Sequence, residues 1–136
     1  MKVMLDDGAF MPIKGHDEDA AWDLKTPISV FIPARGSAVI DTGVHMLIPK
    51  GWCGLLVSKS GLNVNHNLTG TGLIDASYTG SIKAKIYNHS DHPYSFAPGD
   101  KVIQIVLLPH GETELEQVDD LPDTERGSDG FGSTGR

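Results

Sequence analysis

The sequence predicts an all-β fold of the sandwich or jelly-roll kind, with two sheets curled into a barrel-like body. Three observations carry that expectation. Sixteen Gly and eight Pro cut the 136 residues into short segments. Almost none of these keeps apolar residues at helical spacing over the roughly 10–12 residues that mark a helix. Several alternate apolar and polar side chains with the period of two that belongs to a half-buried strand.

Val44, Met46 and Ile48 share one strand face, and Pro49-Lys50-Gly51 then turns the chain. The apolar stretch 52–57 follows and carries the lone cysteine, Cys53, read as a buried strand thiol. Farther on, Ile82, Ala84 and Ile86 oppose Lys83, Lys85 and Tyr87 across a second strand. After the Pro98-Gly99-Asp100 turn, the nearly continuous apolar run 102–108 predicts a strand covered on both faces. Residues 112–125 are acidic, with Leu115, Val118 and Leu121 marking one helical turn or a tethered arm. The expected organisation is one β domain over 1–125 and a Gly-rich C-terminal arm of the same domain, 126–136, that is mobile unless a ligand orders it.

A net charge of -7 argues against a broad surface for nucleic acid polymers or anionic membranes, which call for clustered Lys and Arg. It leaves room for a small polyanion held by a metal and a few cations. A single cysteine forms no intrachain disulfide and no cysteine metal cage. The opening residues lack the apolar core of a signal peptide, and no apolar run is long enough to span a bilayer, so a soluble cytoplasmic protein is expected.

Five segments attract chemical interest. In the arm, Gly127, Gly130, Gly132 and Gly135 permit close backbone approach to an anion. Ser128, Ser133 and Thr134 add hydroxyls, Arg126 and Arg136 add charge, and Phe131 adds one aromatic face. Plain disorder is the ordinary reading of such a tail; one aromatic ring among anion donors suits a base that carries phosphates. In the stretch 72–80, Asp75 is placed to deprotonate a water, or simply to cap a turn while Tyr78 packs at a sheet edge. Ser58, Lys59, Ser60 and Gly61 offer hydroxyls, a cation and, if a helical turn begins there, free N–H groups to a phosphate. Gln104 sets an amide in a core strand, where it requires partners, and serves structure or function. Asp23 is an early acid among apolar neighbours, most simply a turn cap. Six histidines show no paired zinc spacing, which makes Mg²⁺ the better metal.

In order along the chain these segments read Ala20-x-x-Asp23-Leu24, Ser60-Gly61-Leu62, Gly72-x-Ile74-Asp75-x-x-Tyr78-x-Gly80, Gly99-Asp100-x-x-x-Gln104 and Arg126-Gly-Ser-x-Gly-Phe-Gly-Ser-Thr-Gly135. Together they resemble the five motifs of the trimeric deoxyuridine triphosphatases (dUTPases). The resemblance implies a jelly-roll subunit, a homotrimer with active sites at its interfaces, and a C-terminal arm that closes over a neighbour's site. It implies hydrolysis of dUTP to dUMP and pyrophosphate with Mg²⁺, which keeps uracil out of DNA and supplies dUMP for thymidylate synthesis.

On the same resemblance Asp75 activates the attacking water and Tyr78 packs under the deoxyribose, rejecting ribonucleotides by shape. Asp23, through water, and Gln104 hold the metal and the α-phosphate region; the metal's other ligands are triphosphate oxygens. Ser58, Lys59, Ser60 and Gly61 form the phosphate loop, with Lys83 also counted at the substrate site. Thr69, Gly72, Leu73 and Ile74 belong to the hairpin whose main chain reads uracil. Arg126, Ser133 and Thr134 clamp the γ-phosphate, and Phe131, between Gly130 and Gly132, stacks on the base.

Two positions depart from the family pattern. Lys59 stands where Arg is usual, exchanging a planar fork for a point charge, and Thr69 stands where many relatives carry Asn. Three rival readings are a dCTP deaminase on the same fold, a regulatory protein with a protein partner as in some phage-borne relatives, and a non-catalytic jelly-roll assembly protein. The Phe131-Gly-Ser-Thr-Gly135 tail favours the triphosphatase.

Overall fold

The computed structural model describes residues 1–128; the expectations placed on Gly130, Phe131, Gly132, Ser133 and Thr134 lie outside the described residues. The strands are β1 (Lys2–Leu5), β2 (Ala21–Lys25), β3 (Val30–Ile32), β4 (Ser37–Asp41), β5 (Val44–Leu47), β6 (Trp52–Val57), β7 (Leu68–Ile74), β8 (Lys83–Asn88), β9 (Tyr94–Phe96) and β10 (Lys101–Pro109). One six-stranded sheet runs in the order β2-β10-β6-β7-β8-β4, and the ribbons β1-β5 and β3-β9 close around it. All the pairs are antiparallel. The fold is therefore the all-β jelly roll that the punctuation and alternation predict.

The core follows from the same alternation. Val44, Met46 and Ile48 point inward from β5 and its exit, and Ile82, Ala84 and Ile86 from β8 and its approach, while Lys83, Lys85 and Tyr87 face out. They meet Leu24, Ile32, Ile40, Leu56, Leu68, Ile103 and Ile105 in one buried cluster. Gly54 lies inside it because a Cβ there would come within 2.7 Å of the Ile105 side chain.

The run 102–108 forms β10, between β2 and β6, yet only part of it is covered on both faces. Its register on β2 shifts between Lys101 and Ile103, a bulge that lets the consecutive Val102 and Ile103 both turn inward. Beyond Ile105 the cover given by the described residues thins: Leu107, on the inner face, is half-buried against the core, and on the outer face Val106 is half-buried and Leu108 exposed. Cys53 is half-buried rather than buried, because Gly54 and Leu56 hold the inward positions of β6 and Cys53 alternates outward with Leu55 and Val57.

One short helix interrupts the β pattern, α1 (Ser60–His66), ended by Asn67 in the left-handed region at φ 55°. Its half-buried Leu62 rests on the core; seven residues are too few for periodicity to declare a helix. Residues 110–128 contain no helix or strand, so Leu115, Val118 and Leu121, all exposed, mark a tethered arm and no helical turn. Among the described residues no helix is long and apolar enough to cross a membrane.

Candidate active site

Sheet register gathers three of the sequence segments into one lateral row. Asp23 on β2 lies opposite Gln104 on β10, Gln104 lies opposite Val57 on β6, and Val57 lies opposite Thr71 on β7. Directly paired residues share a face. Here it is the face away from the core, since the neighbouring Leu24, Ile103, Ile105 and Leu56 all point in. Gln104 is accordingly half-buried, which corrects the expectation of an amide sealed in the core.

Ser58, the residue after β6, fastens this row to β7: its hydroxyl donates to the Gly70 carbonyl at 3.1 Å and accepts from the Gly70 N–H at 2.9 Å. Lys59 follows in extended conformation as the residue ahead of α1, and the helix begins at Ser60 as the phosphate-loop reading requires. The first N–H groups of a helix have no intrahelical acceptor, and a Cβ built on Gly61 would meet nothing within 4 Å, so this approach is open.

Asp23 is no turn cap. It lies in β2, bridged to Ile13 by Asp23 N–H to Ile13 O at 2.7 Å, and its carboxylate is buried. Lys59 Nζ reaches its Oδ1 at 2.5 Å and Lys101 Nζ its Oδ2 at 2.8 Å. Burial pushes the Asp23 pKa up, but the hydrogen bonds and charges of Lys101 and Lys59 outweigh it and hold the carboxyl below its ordinary value. Lys101 was missed from sequence; its signal was a cation at the start of the strand that carries Gln104.

Strand β7 divides its partners. It pairs with β8 only from Leu68 to Gly70, opposite Asn88 to Ile86, and from Thr71 to Ile74 it pairs with β6. Beyond Gly70 its β8-facing edge leaves the ladder, giving a fork whose main-chain groups include those of Gly72, Leu73 and Ile74. Gly70 is where the strands press together before parting: a Cβ there would lie 2.9 Å from the Lys85 carbonyl oxygen. At the neck, the Thr69 hydroxyl is 2.6 Å from His89 Nε2.

Thr69, Thr71, Leu73 and Asp75 alternate outward along β7, so Asp75 emerges on the face of the row but at the far end of the strand. It stands four positions beyond Thr71, roughly 13 Å at about 3.3 Å per residue. Its carboxylate is exposed, and the turn behind it closes through Tyr78 N–H to Asp75 O at 3.0 Å. The Tyr78 hydroxyl donates to the Ser81 carbonyl at 2.9 Å, laying the ring over Gly80, where a Cβ would come within 2.5 Å of it. Lys83 points outward from β8 and pairs with Asp41 at 3.6 Å, and Arg126 lies exposed in the arm. Among the described residues no group of three or more His, Cys, Asp or Glu is disposed to hold a metal ion.

A family model described as dUTPase matches residues 7–135. The deoxyuridine 5'-triphosphate nucleotidohydrolase of Yarrowia lipolytica is 39% identical over 136 residues, covering 98% of this chain and 87% of its own length. That of Oryza sativa subsp. japonica is 37% identical over 132 residues, covering 96% and 77%. Among solved structures, the Staphylococcus bacteriophage 80alpha dUTPase with dUPNHPP, from work on how phage dUTPases control transfer of virulence genes, superposes with a TM-score of 0.92. It is 32% identical and covers 99% of this chain and 98% of its own. A mutant dUTPase from phage phi11 of S. aureus, solved for the coordination of a structural Mg(II) ion, has a TM-score of 0.81 and 31% identity, covering 88% and 96%.

Proposed function

This chain belongs to the dUTPase family, a nucleotidohydrolase of dUTP, and we propose that it works as a homotrimer whose active sites combine the Asp23–Gln104 row of one subunit with the Asp75 turn of another. The observation that carries this reading is the roughly 13 Å that β7 sets between Thr71 and Asp75. A general base must reach its water within about 3 Å, so one chain's row and its own Asp75 are too far apart to act on one phosphorus. A neighbour's Asp75 completes the set.

In this reading the Asp75 carboxylate takes a proton from a water as the water oxygen bonds to the α-phosphorus. The bond from that phosphorus to the bridging oxygen breaks in line, and dUMP and pyrophosphate separate. The fork beyond Gly70 receives uracil on the freed main-chain groups of β7, and Tyr78 packs under the deoxyribose. Ser58, Lys59, Ser60 and Gly61 take the phosphates, beside Gln104. The segment 126–136 closes over the site, with Arg126, Ser133 and Thr134 on the γ-phosphate and Phe131 on the base.

The donor set fits Mg²⁺. Asp23 offers one carboxylate whose oxygens each hold one ammonium and keep a further lone pair for water, and the triphosphate supplies the remaining oxygens. When bound, the ion neutralises and orients the triphosphate. DNA precursors set the scene for this activity in the cytoplasm. The likeness to the phage 80alpha protein supports a second role, a protein partner switched by nucleotide. Capture of such a partner that responds to dUTP supports it; capture indifferent to dUTP counts against it.

The test of the main reading is pyrophosphate release from dUTP, with dCTP, dTTP and UTP as controls, in Mg²⁺ and in EDTA, on the full chain and on one ending at Glu125. Release confined to dUTP, requiring Mg²⁺ and largely lost on truncation, is expected. No release by the intact chain overturns it, and ammonia release from dCTP moves the assignment to a deaminase.

A further inference from the structure

The turn that carries Asp75 and Tyr78 is held from outside by one imidazole. His45, on β5, has its Nδ1 2.8 Å from the carbonyl oxygen of Thr79 and its Nε2 3.1 Å from Oδ1 of Asp6. Both partners are acceptors: a carbonyl oxygen has no proton to give, and neither has an ionised carboxylate. A neutral imidazole has one N–H, so it satisfies one of these contacts and sets a lone pair against the other. Only the doubly protonated ring makes both hydrogen bonds. From this geometry we propose that His45, as an imidazolium donating from both nitrogens, is a positioning residue that clamps the turn 75–81 against the end of β1 and so sets the aim of Asp75.

The inference rests on the role given to Asp75 above. Among the described residues the other ties on this turn are Tyr78 N–H to Asp75 O, Tyr78 hydroxyl to Ser81 O, Ser81 hydroxyl to Asp41, Ile82 N–H to Val44 O, and Thr42 N–H and hydroxyl to Ile82 O. Each of these donors is a backbone N–H or a hydroxyl. Among the described residues the bond to Thr79 is thus the tie on this turn whose donor carries the titrating proton, one residue beyond Tyr78. The charges around the ring are Asp6 after β1, Asp41 at the end of β4, Lys83 on β8, which is paired with Asp41, and Lys2 at the start of β1, which borders the same hollow. The Thr79 carbonyl does most to raise the ring's pKa; desolvation opposes it, and Asp6 and Asp41 add to the rise. A raised value means that the clamp is fully present in acid and is lost as pH rises through the folded pKa.

The test uses the full chain. Long-range ¹⁵N spectra read the protonation of both His45 ring nitrogens, and amide shifts of 78–80 read the turn, both as functions of pH. Steady-state kcat and KM for dUTP with Mg²⁺ are measured over the same range for the wild type, His45→Gln and Asp6→Asn. The expected result is a ring protonated on both nitrogens above the ordinary histidine value of about 6.5, with the turn amides titrating alongside it. On deprotonation kcat falls about 10-fold while KM moves little, the scale of a small misplacement of a reacting group. His45→Gln cannot titrate and loses this alkaline limb, and Asp6→Asn moves it to lower pH.

A ring that titrates at or below the ordinary value overturns the proposal. So do turn amides indifferent to the ring, or a His45→Gln enzyme with the wild-type profile. Loss of dUTP turnover in the wild type with the ring and turn still coupled overturns the Proposed function alone.

Discussion

The ammonium of Lys59 lies 2.5 Å from Oδ1 of Asp23, so a cation in the phosphate loop is tied to the buried acid two strands away in the sheet. Lys101 takes the other carboxylate oxygen. The carboxylate gives the two lysines a common partner, and the position where relatives of this family usually carry Arg is engaged inward. A guanidinium offers two parallel donors where an ammonium offers one point of charge. This pairing joins the first, second and fourth motif segments before any ligand arrives.

Removing one of the two cations leaves a buried carboxylate half-satisfied. Lys101→Met is expected to destabilise the chain by about 1–3 kcal/mol, read by urea unfolding at neutral pH. The folded pKa of Asp23 is depressed, so its stabilisation is complete above the ordinary carboxylate value and disappears as pH falls through the folded one. The stability difference between Lys101→Met and the wild type therefore shrinks on acidification; an unchanged difference counts against the pairing.

Asp75→Asn removes the proposed base and leaves an exposed side chain of the same shape. Turnover of dUTP is expected to fall by about 100-fold or more, with the melting temperature unchanged. Full turnover in this variant removes Asp75 from the chemistry.

Sharing of the site between subunits has its own signature. Chains carrying Asp75→Asn and chains carrying Asp23→Asn, unfolded together and refolded in equal amounts, form about a quarter of their sites from two native halves, if each half comes from a different subunit. Recovery of activity above either variant alone is expected. No recovery places both residues of each site in one chain.

Gly80→Ala sets a Cβ where the Tyr78 ring now rests, and the ring's hydroxyl end is what must move. With Tyr78 in the proposed role of sugar platform, its displacement should lower the ratio of kcat/KM for dUTP over UTP about 10-fold, the scale of one lost shape contact. An unchanged ratio shows that Tyr78 does not set this discrimination.

Gly70→Ala sets a Cβ 2.8 Å from Ile86 Cδ1 and 2.9 Å from the Lys85 carbonyl oxygen, and the backbone oxygen is the neighbour that cannot swing aside. A loss of about 1–3 kcal/mol on unfolding is expected from overpacking at the neck of the fork. Stability within experimental error of the wild type would mean that β7 and β8 part without strain.

Much of the fold was legible because alternation is a local property. Val44, Met46 and Ile48 or Ile82, Ala84 and Ile86 declare their inner face whatever they pack against. Burial that depends on a second layer is less legible. Leu108 and Cys53 look buried in an apolar string, yet among the described residues their side of the sheet is only partly covered, leaving Cys53 half-buried and Leu108 exposed. Helix α1 was legible only as a conditional turn at Ser60, because seven residues give too little periodicity to recognise.

For the site, the sequence by itself determined which residue types occur and in what order. Asp23, Ser60-Gly61, Asp75, Tyr78 and Gln104 were singled out as candidates from that order, and the family that the match over residues 7–135 shows was recognised with them. Tertiary structure alone decided the neighbours. Which cation meets Asp23, which histidine meets Thr79, and how far Asp75 stands from Gln104 depend on strand register, and register is set by long-range pairing that no local stretch of sequence encodes.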